Sequence, residues 1–384
     1  MDLKTLLSEE GRTDPFSLYA VMHRDGKAAR LGPKDGYAVA VYGYDAVAKV
    51  LRDHRFGQLD AAYLDVNHPQ WRRHPALVVL RESMFFSDSD AHDRMRQRIG
   101  RFFTPRRMSV LEPVVAQLTE TMLDRLDEHD GPVDFMAEFA YLLPSSVMAE
   151  VLGVPHADLG WFRPRVLAIG AILELDGATW SNMARADMAA KELMAYFTDL
   201  VAARRAQPQD DLISELSDVD DAELIPNLIT TFNAGFVTTT HLLGNGLTML
   251  LDRPELRDRS VVDEILRFEP PVQIVARYAL EDAEIEDLAV RAGEAVLVML
   301  GAANRDPRRF PDPDRFDPDR PNNVPLSFGL GPHYCLGAAL SKIEAEIAFP
   351  ALFKRFPRLT IVTPSAPVKP LILRGHDTLM VTTR

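Results

Sequence analysis

Residues 220–251 read as one long helix, and from 224 to 251 they include no Asp, Glu, Lys or Arg. A helix that is apolar nearly all round has no face to leave in water, so it must lie in the centre of a large domain. The chain can enclose it: 384 residues, 47% of them hydrophobic, supply a sizeable core. Residues 91–206 are mostly helical in pattern, with apolar side chains at helical spacing over 108–126 and 181–203. Shorter helices are expected over 261–268 and 335–356. The period changes to strand-like alternation at 37–42, 272–280, 295–300, 371–373 and 379–382. The expectation is a mainly α protein with a small β part. Segments near both ends contribute strands, which argues for one domain over residues 1–384.

Charge narrows the partners. Lys and Arg number 43 against 56 Asp and Glu, a net charge of −13, which argues against wrapping nucleic acid. No apolar run approaches the roughly 20 residues needed to cross a bilayer. The opening MDLKTLLSEEGRTDPFSLY has no basic-then-apolar leader pattern, so no membrane association and a cytoplasmic location are expected. A single cysteine excludes an internal disulfide and a multi-cysteine metal site.

That cysteine, Cys335, sits in FGLGPHYCLG at residues 328–337. A lone cysteine is commonly an inert core residue. Here Gly329, Gly331 and Gly337 surround it, and glycines so close to a helix start suggest positive φ or backbone pressed against something flat. Free N–H groups at a helix start favour a thiolate. A thiolate among glycines beside an aromatic ring is what a single axial haem ligand requires.

The segment resembles the cysteine loop of the cytochrome P450 family, the haem-thiolate monooxygenases. EILR at 264–267, NRDP at 304–307, FPDPDRFDPDR at 310–320, AGFVTTT at 234–240 and HDRMR at 92–96 resemble further family segments in family order. The resemblance covers nearly the whole chain and implies the cytochrome P450 fold, with the long central helix over the haem. It implies haem b with Cys335 as axial ligand, and Phe328 and Gly337 against the cofactor. His92, Arg96, Arg277 and His333 would meet the haem propionates. His92 and Arg96 fall on an otherwise apolar helical stripe with Met95, Ile99, Phe102 and Phe103, where their alternative is to reach past its edge to water. Glu264 and Arg267, three apart on a helix, would join Arg315 in a structural charge network.

In the central helix Ala234, Gly235 and Thr238 match the family's oxygen groove. Thr238 can hydrogen-bond back to the carbonyl of Ala234, a geometry that bends helices. Most family members carry an acid just before this threonine; here that position is Val237. Family positions place Phe86, Phe232, Val237, Val275 and Leu371 in the substrate lining, which implies a bulky, mostly apolar organic substrate.

Arg94, Arg98 and Arg101 recur at i, i+4 and i+7, followed by Arg106 and Arg107. Such a run is ordinarily a solvated face, but the family receives electrons near this helix. With no flavin or nicotinamide domain visible, the donor would be a separate ferredoxin with its reductase. The implied reaction takes two electrons and inserts one oxygen atom of O₂ into an organic substrate, as in the tailoring of secondary metabolites. Alternatives that remain open are epoxidation, oxidative coupling or peroxide-driven oxidation, and a haem-binding sensor without turnover.

Overall fold

The computed structural model describes residues 3–32, 36–88, 90–362 and 370–384. At its centre lies the helix Asp221–Leu251. Asp220 caps it, its carboxylate accepting the Ala222 N–H at 2.9 Å, with Asp221 and Glu223 in the first turn. Helices Pro75–Arg81, Leu142–Leu152, Trp180–Ala206 and Ala338–Arg355 pack round it. Gly246 lets the last of these approach, since a Cβ there would come within 2.2 Å of the Phe349 ring. The Oγ1 of Thr239 and the Oγ of Ser341 join the same two helices at 2.9 Å. Asn227 accepts the Met84 N–H at 2.9 Å, which ties the helix to the turn Met84–Phe86.

The β part has a five-stranded sheet in the order Ala28–Arg30, Val39–Val41, Ala295–Met299, Ile274–Ala279, Phe56–Gly57. Val39–Val41 runs parallel to Ala295–Met299, and the other pairings are antiparallel. A small sheet joins Val133–Asp134, Met380–Thr382 and Thr360–Ile361. Expected strand 371–373 shrinks to a single bridge between Leu373 and Val272. The reason is local: the Glu174 carboxylate accepts the N–H groups of Leu371, Ile372 and Leu373 at 2.8–3.1 Å, taking the place of a partner strand. The helix expected from 335 begins at Ala338, with Gly337 as its N-cap.

The proline-rich segment after Asn304 is locked from beneath by a buried charge network. Arg267, fully buried, donates to both oxygens of Glu264 at 2.7 Å each. Its remaining N–H groups reach the carbonyls of Asn304, Pro313 and Arg315 at 2.9–3.1 Å. Glu264 also accepts from the Asp317 N–H at 2.7 Å and the Asn323 amide at 3.0 Å. The expected role of Arg315 is corrected here. Its side chain is exposed, 3.8 Å from Asp317, and only its carbonyl enters the network. The meander arginine that faces Glu264 is Arg320, a second buried cation at 3.8 Å, which also donates to the carbonyls of Asp312 and Arg315. Asn304 links the network upward, accepting the Leu326 N–H at 2.7 Å and donating to Ser327 at the start of the cysteine loop.

Removing Glu264 strands Arg267, so Glu264→Ala should cost about 3–5 kcal/mol in equilibrium denaturation. Arg320→Ala should destabilise strongly as well, while Arg315→Ala should stay within about 0.5 kcal/mol. Equal losses for the two arginine variants would contradict this assignment.

Candidate functional site

The cysteine loop is a run of tight turns. Gly329 and Gly331 have φ of +67° and +73°, open to glycine without strain. A Cβ on Gly331 would also come within 2.4 Å of the Leu51 carbonyl oxygen. The Gly329 N–H donates to Leu326 and the Cys335 N–H to Phe328, at 2.8 and 2.9 Å, which fixes the loop ahead of the helix. Cys335 lines a cavity of about 1680 Å³ together with Phe328 and Gly337. The side chain is accessible from that cavity while protein encloses it elsewhere. Among the described residues, no atom beyond its own chain neighbours comes within 4 Å of where a Gly337 Cβ would stand, so its backbone is bare on that side.

Burial pushes the Cys335 thiol up, against the opposing pull of the Gly337 N–H and Arg96. One backbone amide, that of Gly337, reaches the sulfur, as expected near a helix start, and without a bound cofactor desolvation outweighs it. In this setting the charge of a bound metal ion is what would deprotonate the sulfur.

The four expected propionate partners all line the cavity. Arg277, on strand Ile274–Ala279, donates to Gln58 Oε1 at 3.2 Å and to the Ala276 carbonyl, and burial lowers its pKa to about 10. Arg96 donates to the Tyr334 carbonyl at 2.5 Å. Among the described residues neither has an ion pair. Arg277 is enclosed and Arg96 half-buried; a guanidinium taken from water without a carboxylate is costly, and a dianionic ligand in the cavity relieves both. This donor set, the bare glycine backbone and the sulfur fit a haem. The two histidines are differently placed. His333 Nε2 lies 2.7 Å from Asp88, and its ring is 4.4 Å from that of His92, which contacts Asp93 at 3.1 Å. Burial would raise the Asp88 carboxyl pKa, but His333, the Gln58 N–H and Arg277 hold it below the usual carboxylate range. Asp88 carried no signal in the sequence, because tertiary packing alone brings it to His333.

Ala234, Gly235, Val237 and Thr238 line the cavity from the central helix. Thr238 Oγ1 donates to the Ala234 carbonyl at 3.2 Å, the expected back-bond. The space left by Gly235 is not free, however: a Cβ there would fall within 2.4 Å of Met148 Sδ, so that glycine serves packing.

Of the expected substrate-lining residues, Phe86, Val237 and Val275 face the cavity. Two do not. Phe232 is fully buried in an aromatic cluster with Phe162, Phe197 and Phe236, on the far side of the helix from Val237. Leu371 packs into the buried cluster that includes Leu297 and Met299, while Pro370, Ile372 and Leu373 reach the cavity. His241 also lines it and was not expected. Burial, with His376 nearby, lowers its pKa to about 4, so it is neutral at neutral pH.

The basic run 94–107 is largely tied down. Arg94 lies 3.5 Å from Glu223, Arg98 bonds Asp218, and Arg107 lies 3.3 Å from Asp210. Arg101 and Arg106 are exposed and outside ion pairs among the described residues. No helix is long and apolar enough to cross a membrane among the described residues.

The family profile Cytochrome P450 matches residues 258–374. The 6-deoxyerythronolide B hydroxylase of Saccharopolyspora erythraea is 35% identical over 401 residues, spanning 98% of each chain. Cytochrome P450 monooxygenase PikC of Streptomyces venezuelae is 35% identical over 380 residues, 92% of this chain and 87% of the relative. A solved structure of P450BioI in complex with hexadec-9Z-enoic acid ligated acyl carrier protein has a TM-score of 0.90 and 31% identity, over 98% of this chain and 100% of that one. Proteins of this kind hold haem through a cysteine thiolate, and Cys335 is the one cysteine in the sequence. With that sulfur, Arg96, Arg277 and the central helix gathered on one cavity, the chain belongs to the cytochrome P450 family of haem-thiolate monooxygenases.

Proposed function

We propose that this enzyme, as one domain over residues 1–384, inserts an oxygen atom of O₂ into a bulky organic substrate in a tailoring step of secondary metabolism. The observation that carries the reading is the cavity, which spans Cys335 and Thr238. At about 1680 Å³ it exceeds the roughly 300–1,000 Å³ of an ordinary small-molecule pocket, as a space for both a haem and a sizeable substrate must. The relatives' names, a hydroxylase and a monooxygenase, support the same reaction class.

When bound, the haem supplies activation of O₂ by electrons from a donor protein. The chain's own residues do the rest. Cys335 holds the cofactor, and Arg96 and Arg277 neutralise its acidic edge, with His92 and His333 beside them. Thr238, held to the Ala234 carbonyl, keeps a hydroxyl at the cavity face and passes protons from water. Val237 holds no proton; it shapes the pocket with Phe86 and Val275. Electrons come from a ferredoxin with its reductase in the cytoplasm, docking where Arg101 and Arg106 stand free of ion pairs among the described residues. Because Val237 replaces the usual acid, epoxidation, coupling or peroxide-driven oxidation stands as the second reading.

One buried acid does remain near this helix. Glu344 lines the cavity one helical turn beyond Ser341, and among the described residues neither carboxyl oxygen has a hydrogen-bond partner. Burial raises its pKa well above the ordinary value, which favours the protonated form in the folded state. Its ordinary ionisation lies near 4.5. The folded protein thus binds a proton that the unfolded chain has lost, and stability falls as pH rises above that value.

Two experiments follow. With a substrate found by its spin-state change, Thr238→Ala should release more peroxide per electron consumed, and Val237→Glu should weaken substrate binding by burying a carboxyl in an apolar lining. Unchanged coupling in the first variant, or tighter binding with faster turnover in the second, would overturn those roles. Glu344→Gln should gain in unfolding midpoint relative to the parent as pH goes from 5 to 8. A constant difference across that range would show that Glu344 ionises normally.

A further inference from the structure

Arg81 closes the helix Pro75–Arg81 and lines the same cavity, apart from the cations already described. Its electrostatic neighbours are Tyr37, Asp60 and Tyr63, whereas Arg277 faces Asp88 and Arg96 faces Cys335 and Asp93. The guanidinium stacks on Phe86, 4.6 Å from the ring centre. Its Nε is buried without a hydrogen-bond partner, and among the described residues its side chain has neither hydrogen bond nor ion pair. Asp60 does not neutralise it by contact. That carboxylate caps the helix Ala61–Asn67, accepting the Tyr63 N–H at 3.0 Å and the Tyr278 hydroxyl at 3.4 Å.

Burial lowers the Arg81 pKa to about 10, so the group stays cationic at neutral pH. Tyr37 and Tyr63 also line the cavity, and burial raises both phenols, which keeps them neutral donors. An enclosed guanidinium without an anion is costly, and here the space beside it is ligand space. We propose that Arg81, with the Tyr37 and Tyr63 hydroxyls, forms a subsite for an anionic oxygen group on the substrate. A free carboxylate and the phosphodiester of a carrier-tethered acyl chain share this chemistry. The inference rests on the monooxygenase reading and refines it: the substrate is amphipathic, with an acidic end that Arg81 anchors.

The test uses the haem-loaded enzyme and one long alkyl chain presented as the carboxylate, the methyl ester and a phosphopantetheine thioester. Affinity is read by calorimetry and by the haem spin-state change, independently of turnover. The carboxylate or the thioester should bind at least roughly tenfold more tightly than the ester, as a charge-assisted hydrogen bond requires. The arm showing that preference identifies the anion's source. Arg81→Gln should abolish the preference and leave ester binding unchanged, and Arg81→Lys should restore part of it. Tyr37→Phe with Tyr63→Phe, which leaves the cation in place, should reduce it. Equal affinity for all three probes, or a preference that survives Arg81→Gln, would overturn the proposal. Arg81→Gln protein that no longer takes up haem would overturn it too, by making Arg81 a cofactor partner. Failure of the monooxygenase reading is separate: it would show as absence of oxidised product while the binding preference persists.

Discussion

Burial of the helix Asp221–Leu251 governs the arrangement of everything else. Its apolar sides are covered by four helices, and glycines at 244 and 246 let neighbours close in at a helix-propensity cost of about 1 kcal/mol each. The face that carries Ala234, Val237 and Thr238 borders the cavity instead. A hydroxyl and a valine on a rigid, central element are thereby fixed opposite the cysteine loop. That loop is held in turn by the Glu264–Arg267 network through Asn304 and Ser327.

The cavity's charges divide by what answers them. Asp88 satisfies His333, and burial of Glu344 favours its protonated, uncharged form. Arg96, Arg277 and Arg81 have no protein carboxylate in contact among the described residues. The first two stand with the sulfur and the bare backbone of Gly337, as a haem's acidic edge requires. Arg81 stands with two phenols. A pocket judged from Phe86, Val237 and Val275 alone is apolar; the tyrosines and Arg81 give it a polar end.

Much of this was legible in the residues. Helical period gave the central helix within one residue of its observed start, and the glycine spacing round Cys335 anticipated its tight turns. Errors arose where a side chain's direction depends on helical phase or on a tertiary partner. Phe232 lies five residues from Val237 and so faces away from it, into the aromatic core. Ile372 faces the cavity in place of the expected Leu371, because Glu174, far off in sequence, sets that segment's orientation. Arg315 and Arg320 are both meander arginines, and only folding decides which guanidinium is covered. Arg81 and Glu344 carry no motif; their meaning comes from burial without a partner.

Ligation of the haem by Cys335 is the claim on which the rest stands. The most direct measurement is the ferrous–CO spectrum of the purified protein beside Cys335→Ser. The parent should show the red-shifted Soret band of a thiolate-bound haem, and the variant should lose that band together with monooxygenase turnover. A variant whose CO spectrum matches the parent's would contradict the account.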